Sequence, residues 1–196
     1  KDDVKGAHEI MSQPQTLERS SEKTARLEAR ITEQQNTLFM NVLRARGLRV
    51  TPREARVRSG ATAVLPRTHM SLAVSCDDRE WLCDVGFGGY GPIYPVPLTG
   101  EPSRQGAWTY RIQREGVLEI LQWKRNGVWE DLYAIEPGER LPVDFEMANW
   151  YTSTWPQSRF VLSLTAQRVT MDTRYVLRNL SYSEDSGDAQ FTREIT

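Results

Sequence analysis

The sequence predicts an α+β fold, a small helical part followed by mostly antiparallel sheet. Three observations carry that expectation. One early segment, Thr32 to Arg46, places apolar residues at helical spacing. Most of the chain beyond Arg49 reads as short strand-like runs separated by turn residues. No internal repeat and no long low-complexity tract interrupts the pattern.

Residues 1–31 are rich in Ser, Glu, Lys, Arg and Gln, as in an exposed helix or a loosely ordered arm. Thr32 and Gln35 fit the S/T-x-x-E/Q capping box at a helix start. Leu38, Phe39, Val42 and Leu43 then recur at helical spacing, and Gly47 is a stop signal, so Thr32 to Arg46 is expected to be a buried amphipathic helix. Met70, Leu72, Val74 and Cys76 alternate with His69, Ser71, Ala73 and Ser75 in the period-two pattern of a strand. Asp77, Asp78 and Arg79 form the turn, and Trp81 to Val85 the return strand, ended by the glycines of GFGGYG. WTYRIQ, LEILQW and VWEDLYAI read as further strands, Asp144 to Trp150 as helix, and FVLSLTAQRVT and TRYVLRNLSY as two closing strands.

The bulk numbers narrow the function classes. The 196 residues suffice for one large domain or two small ones with real cores. Twenty-five basic and 26 acidic residues leave a net charge of −1, which argues against a general electrostatic grip on nucleic acid or a membrane surface. No apolar run reaches the roughly 18 residues of a membrane span, and the N-terminus lacks the apolar core of a signal peptide. Cys76 and Cys83 are therefore expected as free thiols in a reducing, cytoplasmic compartment. With only His8 and His69 available, no metal site is expected.

The chemistry concentrates at His69 and Asp84. In an antiparallel hairpin with an even-numbered loop, residues of opposite parity share a face, and 69 and 84 have opposite parity. A loop centred on Cys76 and Asp77 sets them directly opposite, about 5 Å apart at Cβ. A loop at Asp77 and Asp78 makes them diagonal neighbours, and an odd loop without a bulge separates them. A carboxylate beside an imidazole fixes its tautomer and stabilises its charged form, which serves a Ser or Cys nucleophile. The same pair also fits a structural hydrogen bond bracing a hairpin. Gly86, Gly88, Gly89 and Gly91 allow close backbone approach, and exposed N–H groups there suit a phosphate or an oxyanion. Trp81, Trp108, Trp123 and Trp129, at strand spacing, fit barrel core rather than a cofactor box.

The run QNTLFMNVLRARGLRV, then ARV, PRTHMSLAV, WLCDVGFG and NWYTSTWPQSRF, resembles the arylamine N-acetyltransferases in order and spacing from about Gln35 to Phe160. The resemblance implies a helical bundle, then an antiparallel β-barrel, then an α/β lid, in a cysteine-protease-like arrangement. On that basis residues 1–48 are expected as the remnant of the helical domain, 49–143 as the barrel and 144–196 as a partial lid. It further implies acetyl transfer from acetyl-CoA to an aromatic amine, hydrazine or hydroxylamine nitrogen by a ping-pong Cys-His-Asp mechanism. His69 and Asp84 occupy the catalytic histidine and aspartate positions. Phe87 lies where the family packs aromatic substrate. Gly86 and Gly88 lie in the turn that approaches the cofactor, and Thr152, Ser153, Thr154 and Ser158 in the segment that helps hold coenzyme A. The family's cysteine lies in an RGGYCFEQN-like motif four residues before the position of Asn36. Thr32 stands there in EARITEQQN, and Trp155 stands where the family often has His. The family is also longer at both ends.

A capping role explains Thr32 without catalysis. Cys76 is expected at the hairpin tip and Cys83 on the face opposite Asp84, so neither should reach His69. Three readings stay open: the sequence near the N-terminus omits or rearranges residues and so hides the true nucleophile, the protein is a degenerate homologue binding CoA or aromatic ligands without turnover, or another nucleophile serves.

Overall fold

The structure is a computed structural model that describes residues 33–61, 63–138, 140–187 and 189–195. The polar N-terminal segment, His8 and Thr32, with the capping role and the nucleophile position assigned to Thr32, lie outside the described residues.

Residues 33–45 form helix α1. It ends as Gly47 requires. That glycine has φ +82, its N–H reaches Arg44 O, and the next N–H, Leu48, reaches Leu43 O. This is the Schellman pattern, in which a left-handed residue satisfies the last carbonyls. The helix is half-buried rather than buried. Asn36, Met40 and Leu43 lie along one stripe toward the sheet, whereas Leu38 and Val42 fall on the opposite side and are 67% and 50% exposed. A helix lying on one sheet covers only one stripe.

Eight antiparallel strands complete the larger sheet: β1 (Arg49–Val57), β2 (Arg67–Cys76), β3 (Arg79–Cys83), β4 (Val96–Pro97), β5 (Ser103–Gln105), β6 (Trp108–Glu115), β7 (Leu118–Arg125) and β8 (Val128–Ile135). Their order, β4-β3-β2-β1-β8-β7-β6-β5, curls until β4 lies near β6, giving a nearly closed barrel. Alternation sorts the side chains. Ala55, Ala73, Leu82, Val96, Trp108, Tyr110, Leu121, Trp123 and Tyr133 fill the barrel. Val50, Met70, Leu72, Val74 and Cys83 point outward and are capped by α1 and by Phe145 of α2 (Pro142–Thr154). Trp108 and Trp123 are barrel core as expected. Trp81 instead packs on the outer cluster, and Trp129 lies half-buried with the Arg111 guanidinium 4.3 Å from its ring centroid. Their positions on the strands place them on the outer face, which period-two spacing alone does not label.

Helix α2 is longer than the expected Asp144 to Trp150. Pro142 supplies a pre-set φ in its first turn, and Leu141 N–H donates to Asp144 Oδ2 at 2.9 Å. The closing region also differs. The first part of FVLSLTAQRVT belongs to the short helix α3 (Arg159–Leu162), capped by Ser158, and only β9 (Thr165–Val169) is strand. TRYVLRNLSY is two strands, β10 (Arg174–Arg178) and β11 (Ser181–Asp185), turning at Asn179 with φ +53. A further strand, β12 (Gln190–Glu194), completes a four-stranded antiparallel sheet. Asn tolerates the left-handed conformation that this turn needs, a signal the strand-rich flanks mask. The sheet meets the barrel where Ala107 N–H donates to Met171 O at 3.0 Å. Among the described residues no helix is long and apolar enough to cross a membrane.

Candidate active site

The β2–β3 hairpin turns at Asp77 and Asp78, both at positive φ (50 and 57), as a type I′ two-residue turn demands. The register pairs Leu72 with Cys83 and Cys76 with Arg79. Extended past the last pair, that register makes His69 and Asp84 diagonal neighbours on the barrel face. Their side chains meet: His69 Nε2 lies 2.6 Å from Asp84 Oδ2.

Two β-bulges sit beside the partners of Asp84. Between β1 and β2 the register shifts after Ala55–His69, leaving Thr68 unpaired next to His69. Between β7 and β8 it shifts after Leu121–Tyr133, leaving Leu132 unpaired next to Tyr133. Bulges re-aim the adjoining side chains. Here consecutive Leu132 and Tyr133 both enter the core, and the Tyr133 hydroxyl donates to Asp84 Oδ2 at 2.9 Å.

Asp84 accepts three further bonds on Oδ1, from Asn36 Nδ2 at 3.0 Å, Gly86 N at 2.9 Å and Phe87 N at 3.1 Å. Burial alone would raise its pKa. The charge and hydrogen bond of His69 and the donors Asn36 and Gly86 outweigh burial and hold the carboxyl below the ordinary range. An ionised Asp84 only accepts, so the His69 proton belongs on Nε2. Nδ1 makes no hydrogen bond among the described residues. The imidazole is 4% exposed, with Phe87 edge-on at 5.1 Å and Tyr133 at 4.8 Å between ring centroids. Burial, with the charge and hydrogen bond of Asp84 behind it, keeps the Tyr133 phenol far from ionising.

Of the other expected residues, Phe87 is half-buried against both His69 and the barrel core. Three of the four glycine-turn N–H groups, expected to be exposed, are engaged within the chain: Gly86 with Asp84, Gly89 with Gln167 Oε1, and Gly91 with Gly88 O. Gly88 has φ +79, and a Cβ there would sit 2.8 Å from Gln167 Oε1. The Thr152, Ser153, Thr154 and Ser158 hydroxyls all donate to backbone carbonyls in or beside α2. Cys83 lies on the outer face with its thiol pushed up to about 11, by burial first and then by Asp84, and Cys76 is at the hairpin tip. An open depression of about 480 Å³ is lined by Gly47, Arg49 and Ser75 to Arg79, at the end of β2 remote from His69. Among the described residues no three His, Cys, Asp or Glu side chains cluster as metal ligands.

Sequence reasoning does not assign Asn36 and Tyr133 to the site. Asn36 is fully enclosed and also donates to Met70 O at 2.9 Å, while its Oδ1 accepts Val85 N. A lone amide on the inner stripe of a helix is the available signal. Tyr133 reads like any core aromatic.

The profile of a family described as N-acetyltransferase matches residues 33–196. Arylamine N-acetyltransferase from Mycolicibacterium smegmatis is 37% identical over 73% of this chain and 54% of its own length. The Salmonella typhimurium arylamine N-acetyltransferase / N-hydroxyarylamine O-acetyltransferase is 37% identical over 64% of this chain and 45% of its own length.

The chain belongs to the arylamine N-acetyltransferase family.

It spans about half the length of these curated relatives. A solved arylamine N-acetyltransferase, from Mycobacterium marinum in complex with CoA, superposes with TM-score 0.74 at 30% identity, covering 82% of this chain and 62% of that one. The arylamine N-acetyltransferase fold therefore accounts for the helix, the barrel and the α/β region described above.

Proposed function

We propose that this chain carries the histidine–aspartate part of a site that moves an acetyl group from acetyl-CoA to the nitrogen of an aromatic amine, hydrazine or hydroxylamine. The observation that carries the reading is the 2.6 Å contact of His69 Nε2 with a buried, ionised Asp84, which leaves Nδ1 unengaged. The names of the relatives and the CoA complex of the Mycobacterium marinum enzyme support the substrates.

His69 is the proton carrier and Asp84 holds its tautomer and stabilises the imidazolium. A nucleophile gives its proton to Nδ1 and attacks the thioester carbonyl of acetyl-CoA. The bond from acetyl carbon to CoA sulfur breaks, and the imidazolium returns the proton to the departing thiolate. The amine then attacks the acetyl-enzyme, His69 takes the amine proton, the bond from acetyl carbon to nucleophile breaks, and the imidazolium returns that proton to the departing nucleophile. Phe87, edge-on to His69, flanks the aromatic substrate. In this division 1–48 is a remnant of the helical domain with a polar N-terminal arm, 49–143 is the barrel that carries both catalytic residues, and 144–196 is a partial α/β lid.

Thr32 stands at the family's nucleophile position, and a hydroxyl lacks the accessible ionisation of a thiol. That favours a second reading, a homologue that binds CoA or aromatic ligand without turnover. One experiment decides. The chain and its Thr32→Cys variant are incubated with acetyl-CoA and an arylamine, then followed by amine acetylation, intact mass and thermal melting. Acetylation by the parent chain supports an active enzyme with another nucleophile. An acetylated Thr32→Cys chain that His69→Ala abolishes supports an intact base pair. Stabilisation by acetyl-CoA without acetylation of either supports the binding reading. Neither stabilisation nor acetylation overturns both.

A further inference from the structure

We propose that Arg174 is a positioning residue for the His69–Asp84 pair, acting through the 86–91 turn. The inference rests on the reading of that pair as the acetyl-transfer base.

Arg174 belongs to β10, in the sheet outside the barrel, yet it is 1% exposed. Its guanidinium carbon lies 4.4 Å from the Trp108 ring centroid. Nη2 donates to Gly91 O at 3.1 Å and to the Tyr110 hydroxyl, and that hydroxyl in turn donates to Gly91 O at 3.0 Å. One backbone carbonyl is thus held by two donors that are bonded to each other. Neighbouring β9 contributes Gln167, whose Oε1 accepts Gly89 N. A Cβ at Gly89 would sit 2.6 Å from that oxygen, so the backbone of the turn packs directly on side chains of the sheet.

The opposite end of the turn is the site. Gly86 N and Phe87 N donate to Asp84 Oδ1, and the Phe87 ring stands edge-on to His69. Gly91 N closes the turn on Gly88 O at 2.7 Å. The six residues therefore run from the carboxylate that orients His69 to the arginine of the outer sheet. A glycine-rich turn has little stiffness of its own. Its geometry at Asp84 depends on what anchors the far end, as outer partners orient the groups that do the chemistry.

The anchor is an expensive one. Nε and Nη1 of Arg174 are enclosed without hydrogen-bond partners, and burial lowers the guanidinium pKa, opposed by Tyr110 and Asp185. A buried cation with incomplete partners is poor for stability alone, since a well-packed apolar side chain often does as well. What only the arginine supplies is a charge-assisted donor aimed at Gly91 O.

The test reads hydrogen exchange in the full chain labelled with 15N, including both histidines, His8 and His69. In Arg174→Met, the amides of Gly86 and Phe87 and the His69 Nε2–H should exchange at least tenfold faster relative to the global opening rate. Tyr110→Phe, which removes the hydroxyl bonds to Tyr90 O and Gly91 O, and Gln167→Ala, which removes the acceptor of Gly89 N, should each give about threefold. Arg49→Met, which breaks the bond to Ser75 Oγ at the end of β2 remote from His69, should leave these three protons unchanged. If the three protons follow only the loss of global stability, in Arg174→Met or, should that variant not fold, in the other two, Arg174 merely docks the sheet and the proposal is overturned. Exchange needs no turnover, so it stands or falls separately from the acetylation assay.

Discussion

Asp84→Asn isolates the charge at the centre of the site. Oδ1 accepts Asn36, Gly86 and Phe87, and Oδ2 accepts His69 and Tyr133. The new amide keeps its oxygen with the three donors and turns its NH2 toward His69 and Tyr133. The enclosed Tyr133 hydroxyl then faces a donor, at about 1–3 kcal/mol for an unsatisfied buried group. The remaining bonds lose charge assistance, at roughly 1 kcal/mol or less each, while the burial penalty of the carboxylate disappears. The balance is a loss of about 3 kcal/mol at pH 7. His69 can relieve its own conflict only by moving its proton to Nδ1, so that Nε2 accepts from the new amide. That tautomer cannot act as the base, which is why such a change abolishes catalysis where geometry survives. The pH dependence has a definite sign. The folded carboxyl titrates below the unfolded value of about 3.9, so its contribution is complete above that pH and fades as pH falls through the lower folded value. Urea unfolding from pH 7 down, with 15N histidine spectra, measures both effects. A loss under ~1 kcal/mol, a gap between parent and variant that widens on acidification, or a His69 still protonated on Nε2 would show that the Asp84 charge does not hold the imidazole.

Gly106 has φ +66, and a Cβ there would lie 2.1 Å from Met171 O, whereas Gly116, at φ +59, has open space. Gly116→Ala should lose about 1 kcal/mol, from backbone strain alone, and Gly106→Ala at least twice that, with faster proteolysis within β9 to β12. Equal losses in thermal melting would contradict the docking described. With a thiol reagent at pH 8, Cys76 should react in the folded chain, slowed by the neighbouring Asp77 charge that raises its pKa. Cys83, at about 11, should react only on unfolding, and two equal rates would place it wrongly. Leu72→Ala, in the fully enclosed outer cluster, should lose about 3 kcal/mol in urea titration.

The hairpin shows how far local rules reach. Parity places His69 and Asp84 on one face, and the turn at Asp77 and Asp78 makes them diagonal neighbours, one of the two arrangements that parity allows. The strand runs of β6, β7 and β8 are equally legible, because alternation and turn residues are properties of a few consecutive positions. Where local signals conflict, reading fails. The first part of FVLSLTAQRVT has strand-like composition but is capped by Ser158 into a helical turn. The strand after Asp185, mostly polar and exposed, offers no apolar alternation to find.

A helix ahead of an antiparallel sheet, the shared face of the pair and the family motifs around it are all written within short windows of the sequence. The tertiary structure set the contact of the pair through the hairpin register, and placed beside each of His69 and Tyr133 a bulge whose extra residue appears only when two strands are aligned. It alone brought Asn36 and Tyr133 to the carboxylate and Arg174 to the far end of the turn. Those contacts join positions 48, 49 and 83 apart, and chain separation of that size leaves no periodic trace for a local pattern to carry.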